Sequence, residues 1–484
     1  MLLVLICRFG YSIVDCPQRT GDIDDWFDSI GAACVDYDME SIEDTRADFS
    51  SGKFSLSVGT SEDTLRSLTA QTNGRLVAVG RSSVNSVNNF LMVRLDIDGN
   101  LDPTLNSTGI LTLTIGTLDA MGHKVLLDSS SRIFAVGRTA ATNDNMDFLA
   151  ARFLTTGAFD TSFATIGYTI IAVGTQSDIA RAAVAETNGN YQLVGYSWTT
   201  AGGGHYIASA ARLLSSGQLD TAFATTGRLT LDFLTTSVGL LSEQLDTLGR
   251  YVFGGTLLST NWQILVGRFT SNGNLDTSFF TTGYTLLSIG TGHDQLYDLQ
   301  INNEKILIAG SYYNGTNMDA ALVRLNSNGD LDTSFNNTGK LGRSFSTGDD
   351  FLYSLQLEPS TGALIVGGYG SGTNQDFLAA RFNSNGSLDT FFATVGFQFS
   401  SVSGTNDQGT SVFLTSSGQL YQGGKIINSA TDSDLGFTRY SAAGTVANGA
   451  TLDDSFGTSG FSNVSFISGQ ADVGYGLVFN PMVE

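Results

Sequence analysis

The chain has 484 residues, 57 of them Gly and only 4 Pro, with 24 Lys+Arg against 46 Asp+Glu and a net charge of −22. A hydrophobic share of 41% is enough to fold, which argues against wholesale disorder. The few cations form no cluster along the sequence, which excludes a nucleic-acid binder needing to displace counterions, and no apolar run reaches the roughly 18 residues of a membrane-spanning helix.

The first residues, MLLVLICRF, read as a strand rather than a secretory leader, because they lack a basic start and a small-residue cleavage site. GDIDDWFDSIG (21–31) follows, with Arg8 and Asp24 at positions that recur throughout the chain. Residues 1–31 are therefore a partial first repeat. Residues 32–52 contain the acidic run VDYDMESIEDTRAD and read as an inserted loop. Cys7, Cys16 and Cys34 all lie in this part, with no CxxC spacing, so no disulfide is expected to hold the repeated body together.

Repeats occupy 53–484, starting with the strand KFSLSV. The unit from 295 shows the plan. QLYDLQI alternates and is followed by the turn NNEK; ILIAG is a short apolar run; SYYNGTNMD is a polar loop; AALVRL, the turn SNGDLDTSFNNTG and KLGRSFS complete the period. Four short strands joined by Gly/Asn turns make an antiparallel meander. One such sheet cannot bury both faces alone, so copies must stack face to face. The expected fold is an all-β propeller of four-stranded antiparallel blades, with a linear solenoid as the rival. Seven complete units and a partial eighth imply a ring of seven or eight blades. The leftover pieces, an inner strand VGYGLVF at 473–479, a third strand near 3–9 and an outer strand at 53–58, favour eight.

One Arg and one Asp recur in every unit, roughly every 57 residues: Arg94/Asp102, Arg152/Asp160, Arg212/Asp220, Arg268/Asp276, Arg324/Asp332, Arg381/Asp389 and Arg439/Asp453. In a charge-poor chain this pattern predicts an ion pair that fixes a turn inside each blade. The Phe three residues after the Asp (Phe163, Phe223, Phe279, Phe335, Phe392, Phe456) is expected to plug the contact between blades.

These residues resemble the delta-60 repeat family of bacterial β-propeller repeats. The likeness rests on ARFNSNGSLDTFFATVG (380–396) and GALIVGGY (362–369), and it extends over nearly the whole chain from about residue 53, together with 3–31. It implies a propeller and an exported or cell-surface location. It implies no catalytic residue. The integrin-type calcium repeat is approached only by DIDGNLD (96–102), and WD40 and kelch signatures are absent.

A second Asp series stands just before the first strand of most units: Asp63, Asp119, Asp178, Asp294, Asp350, Asp407 and Asp472. Two readings are open. Each carboxylate accepts hydrogen bonds from its own turn, or several together hold a cation, with calcium the candidate. The loops between second and third strands belong to the same face. They carry Trp198, Trp262, Tyr312, Tyr313 and Tyr369, which are the candidate ligand-binding residues.

The three His are far apart, and no GxSxG, HExxH or GxxxxGK[ST] occurs. The expectation is a monomeric binding scaffold for a glycan or a protein, with no enzyme activity. The alternatives are a purely structural module of a longer surface protein and a carbohydrate-active enzyme using paired carboxylates.

Overall fold

The structure is a computed structural model. It describes residues 53–55, 63–95 (72, 74, 85 and 86 apart), 101–440 (117–118, 143–144, 234–235, 259, 359, 402–405, 415–419 and 430–431 apart), 461–465 and 477–479. The expected partial repeat at 1–31 and the loop at 32–52 lie outside these residues.

Among the described residues the chain forms seven successive four-stranded blades, spanning 63–113, 119–171, 178–231, 237–287, 294–343, 350–400 and 407–465. Blade 5 is representative. Asp294–Asn302, Lys305–Tyr313, Met318–Leu325 and Lys340–Arg343 pair in that order, all antiparallel. Its first turn places Asn303 and Glu304 at φ 48° and 61°, the left-handed pair that matches strand twist in a two-residue hairpin.

Alternate residues of each blade serve opposite neighbours. Ala180, Ala183 and Leu193 of blade 3 pack on Phe134, Val136 and Phe148 of blade 2. Ala182, Val194 and Ala208 pack on Val238, Leu240 and Phe253 of blade 4. Both faces are apolar because both are buried, so no blade is stable alone.

The expected eighth blade does not form among the described residues. Its outer strand, Lys53–Ser55, pairs in parallel with Phe461–Ser465 at the outer edge of blade 7. Its inner strand, Leu477–Phe479, pairs in parallel with Leu68–Ala70 of blade 1 and also touches the inner strand of blade 7. A free strand edge offers unpaired N–H and C=O groups, and here each leftover strand satisfies one separately.

The recurrent corner is where the blades are tied. The ion pair is present in six blades: Arg94–Asp102 at 2.7 Å, Arg152–Asp160 at 2.8 Å, Arg212–Asp220 at 2.7 Å, Arg268–Asp276 at 2.8 Å, Arg324–Asp332 at 2.8 Å and Arg381–Asp389 at 2.6 Å. Asp453 lies outside the described residues. The Asp also accepts from the N–H two residues on, as Asp160 does from Ser162 at 3.0 Å.

The Arg reaches further than its own blade, which the sequence reading did not anticipate. Arg152 Nη1 donates to the carbonyl of Ser215 in the next corner at 2.7 Å. Arg94, Arg212, Arg268 and Arg324 do the same to Thr155, Ser271, Ser327 and Ser384. A backbone bond runs beside four of the five, for example Ala224 N–H to Asn272 O at 2.8 Å and Asn336 N–H to Asn385 O at 2.8 Å. Phe163, Phe223, Phe279 and Phe335 are fully buried beneath the same guanidiniums, 4.9–5.4 Å from ring centre to carbon. The glycine of the next corner lies over each ring; a Cβ on Gly273 would sit 2.9 Å from Phe223. The S-N-G step of the repeat is thus an acceptor for the preceding blade, and the corners form a continuous belt.

Candidate functional site

Every inner strand carries a β-bulge at the same place. The register shifts between Leu65 and Ser67, Gly122 and Lys124, Ala180 and Ala182, Leu240 and Ser242, Leu296 and Asp298, Leu352 and Ser354, and Gly409 and Ser411. The extra residues are Arg66, His123, Arg181, Leu241, Tyr297, Tyr353 and Thr410. A bulge turns its side chain out of the alternating pattern and re-aims it. It also pushes a carbonyl towards the partner strand, and that strand answers with Gly in all seven blades. A Cβ on Gly195 or Gly310 would collide with the carbonyl oxygen of Ile179 or Gln295. The recurrent Gly in the middle of the second strand is therefore a requirement of the bulge.

The inner strands follow one another around a common axis, each touching the next. Lys124 of blade 2 and Asp298 of blade 5 influence one another's titration across that axis, three blades apart. Burial lowers the Lys124 pKa and raises that of Asp298, and each is partly restored by the other's charge. Asp298 also accepts from Leu355 N–H at 2.9 Å and from Ser242 Oγ at 3.3 Å, joining blades 4, 5 and 6.

The seven bulge residues divide this inner wall. Blades 5 and 6 present an aromatic side, with Tyr297 and Tyr353 ring centres 4.4 Å apart and Phe351 and Tyr369 beside them, tilted against each other at 5.0 Å. Burial pushes the Tyr297 hydroxyl up to about 12. Blades 1 to 3 present a basic side of Arg66, His123 and Arg181, joined by Arg81 and Arg138, each of which follows the bulge-facing Gly on its own second strand. Burial, and then the charges of Arg181, Arg138, Arg66 and Arg81, hold the His123 imidazole well below its usual range, so the ring is neutral.

Three members of the Asp series serve their own turns. Asp178 accepts from Val173 N–H at 2.7 Å and Gly174 N–H at 3.0 Å. Asp294 accepts from Ile289 and Gly290 N–H, both at 3.1 Å. Asp350 accepts from Phe345 N–H at 2.6 Å, Ser346 N–H at 3.0 Å and Ser346 Oγ at 2.7 Å. These carboxylates and that of Asp407 are wholly buried. Burial raises the pKa of Asp178, Asp294 and Asp350 in spite of the donors. Among the described residues no three His, Cys, Asp or Glu side chains are grouped to hold an ion. Asp178, Asp294 and Asp350 face the preceding turn. Asp119 stands one register position earlier relative to its bulge and instead pairs with Arg138 at 2.9 Å and accepts from Asn88 at 2.6 Å. Asp63 is the first residue of its strand, and Asp472 lies outside the described residues.

The candidate aromatic residues belong to blades 3 to 6, with Trp262 in the loop before its third strand and Trp198, Tyr312 and Tyr313 at the ends of second strands rather than in loops. Trp198 is half-buried and meets Tyr206 edge-on at 4.9 Å. Trp262 leans on His293 at 4.8 Å. Tyr313 donates to Gly315 O at 3.0 Å beside half-buried Tyr312. Tyr369 departs from the expectation of a loop position: it is 8% exposed and belongs to the aromatic side of the inner wall. The basic side escaped the sequence reading, although one signal was there. Three residues after Asp63, Asp178, Asp294, Asp350 and Asp407 stand Arg66, Arg181, Tyr297, Tyr353 and Thr410, a variable position inside an otherwise regular unit.

A family model described as a domain of unknown function (DUF5122) beta-propeller matches residues 71–105, 249–279, 302–335 and 360–392. No curated protein matches the sequence. Solved structures of similar fold include Sqt1 of Chaetomium thermophilum, with a TM-score of 0.45 and 11% identity over 82% of this chain and 87% of that one. They also include a catalytically inactive virginiamycin B lyase from Staphylococcus aureus, with a TM-score of 0.44 and 11% identity over 76% and 94%. The fold is a β-propeller, as the repeated sheets and the family match both indicate. Among the described residues no helix is long and apolar enough to cross a membrane. The expectation of a protein without enzyme activity is corrected: a lyase is among the proteins of similar fold, so this architecture does not exclude catalysis. At such identity the likeness is one of fold alone.

Proposed function

We propose that this propeller is a binding scaffold, displayed at the cell surface or secreted, that holds a glycan or a protein partner on the face where its inner strands begin. The observation that carries this reading is the gathering of aromatic and amide side chains where the second strand passes into the third in three successive blades. Trp198 and the pair Tyr312 and Tyr313 stand at the end of the second strand of blades 3 and 5, Trp262 stands just before the third strand of blade 4, and Asn314 and Asn317 belong to the connection that follows Tyr313. Rings with a polar edge suit sugar faces and protein hot spots alike, because they give large contact area at little entropic cost. The acidic surface keeps such a scaffold soluble in the open.

The test is saturable binding of the labelled chain to intact cells and to an array of glycans. Binding that falls at least about tenfold in Trp198→Ala and Trp262→Ala, with unchanged thermal unfolding, supports the reading. Binding that survives both changes removes it. Fractionation of the producing cells tests the location separately.

A further inference from the structure

The face where the inner strands begin carries rings at two positions of the repeat. Trp198 and Tyr313 each stand three residues after the glycine opposite the bulge, Gly195 and Gly310. Each donates its N–H to the carbonyl just ahead of its blade's inner strand, Ser177 O at 2.8 Å and His293 O at 2.7 Å. Tyr206 and Trp262 each stand six residues before the corner Arg. Each donates its N–H to a side chain at the start of the next blade, Ser237 Oγ at 3.2 Å and His293 Nδ1 at 3.1 Å. Blades 3, 4 and 5 thus show rings in succession, whereas blade 2 has Ala140 and Met146 at these places and blade 6 has Ser371 and Gln375. Each ring is also held still. Gly202, Gly203 and Gly204, all at positive φ, bring their turn against Trp198, where a Cβ on Gly204 would come within 2.8 Å of the indole. Tyr206 meets Trp198 edge-on, with Tyr196 at 5.1 Å on its other side. Trp262 leans on His293, and a Cβ on Gly292 would come within 2.6 Å of the Tyr313 ring. Tyr206 is 38% exposed and the other three rings are half-buried. Rings fixed before a ligand arrives lose little freedom on binding.

We propose that these rings form one track for an uncharged polysaccharide, in which a sugar of the chain lies on the ring of each of blades 3, 4 and 5. This rests on the reading of that face as the binding face, and names its ligand. Periodicity favours a sugar chain over a protein. Protein anchors are irregularly spaced and gather in a dry centre. A polysaccharide repeats one unit, and here a ring recurs once per blade step. The CH faces of a sugar are buried on an aromatic face while its hydroxyls find a polar rim, supplied here by exposed Asn261, Asn314 and Thr316. A net charge of −22 repels a polyanion. In blade 4 the Asp three residues before the bulge gives way to Val238, so that position offers no carboxylate to a cationic chain.

The experiment is titration of the full chain with dimers to hexamers of β-1,4-linked glucose, β-1,4-linked N-acetylglucosamine and α-1,4-linked glucose, read by tryptophan fluorescence and calorimetry. Oligogalacturonate is the charged control. At least one neutral series is expected to bind, with Kd falling at least about tenfold from dimer to hexamer as further rings are engaged. Tyr206→Ala and Tyr313→Ala each weaken the hexamer at least about fivefold with an unchanged unfolding midpoint. Tyr313→Phe binds like the parent, because it keeps the ring and loses only the hydroxyl bond to Gly315. No binding by any neutral series, a hexamer no tighter than its dimer, or a hexamer indifferent to both Ala changes overturns the proposal. Oligogalacturonate bound more tightly than every neutral series overturns it as well. The two readings fail separately. A chain that binds cells through Trp198 but binds no oligomer remains a scaffold, with a protein as its partner, and a chain that binds neither removes both.

Discussion

The outer corners and the inner bulges are built on the same period, yet they use it in opposite ways. At the corner the residue type is nearly constant from blade to blade: Arg, Gly, Leu, Asp and Phe recur, and they are consumed by one another and by the next corner. At the bulge the backbone is constant and the side chain is not; Arg, His, Arg, Leu, Tyr, Tyr and Thr occupy one geometric position. Repetition of a residue in a repeat protein marks a contact every unit needs. A position whose geometry repeats while its chemistry changes is where one copy is set apart from another.

The sharpest way to break the corner is to remove its cation. Arg152 is 1% exposed and holds Asp160 and the Ser215 carbonyl at once. Arg152→Ala strands a buried carboxylate and an acceptor between blades, and urea unfolding should show a loss of about 3–5 kcal/mol. A loss below about 1 kcal/mol would mean that the corner is decoration. Acid sharpens the same point. Burial by itself would raise the pKa of Asp102, Asp160, Asp276 and Asp332, but hydroxyl and N–H donors and the Arg charge hold each below the usual range. The stability they add is present above the ordinary value of 3.8 and disappears as pH falls through the lowered values.

The bulge is tested through its glycine. Gly310→Ala forces a Cβ against the Gln295 carbonyl, and a cost of about 1–3 kcal/mol or more is expected in urea unfolding. Gly372 has open space around it, so Gly372→Ala should stay within about 0.5 kcal/mol. Equal effects at the two sites would remove the link between bulge and glycine.

One residue defies its position. The place two after the bulge holds Val125, Ala183, Leu299, Leu355 and Val412 in other blades, all apolar and facing the preceding blade. In blade 4 it is Glu243, 3% exposed, with neither carboxylate oxygen hydrogen-bonded within the protein. Burial, reinforced by the charge of Glu186, raises its pKa well above 4.5. A raised folded pKa stabilises fully below the unfolded value and loses that contribution as pH climbs to the folded one. Glu243→Leu should therefore gain about 1–2 kcal/mol at neutral pH, and the gain should shrink as pH approaches 4. A pH-independent difference would show that Glu243 is not titrating between those limits.

What could be read from the sequence follows from this contrast. The four strands, the Arg–Asp pair and the Phe were legible because they repeat with the period. The reach of Arg212 to Ser271 was not, since a carbonyl acceptor leaves no trace in residue type. The bulges were hidden for a related reason. One extra residue before Ser67 or Asp298 alters register without altering the apolar pattern on either side. The Asp series could be seen, but sequence does not tell a carboxylate facing its own turn from one facing an axis. Arg66, Arg81, Arg138 and Arg181 are too far apart along the chain to look like a cluster, and only the stacking of three blades assembles them.

The smallest expected effect concerns that Asp series. Had the carboxylates of Asp178, Asp294 and Asp350 formed a calcium ring, millimolar Ca²⁺ at 100 times Kd would raise stability by about 2.7 kcal/mol over EDTA. Each is instead saturated by N–H donors from the loop before it, and an oxygen already accepting two such bonds gains little from leaving them for a cation. The unfolding midpoint should be the same in EDTA and in Ca²⁺. A clear upward shift that vanishes in Asp294→Asn would return the series to the axis and blur the line between the part of each blade that repeats for structure and the part that varies for binding.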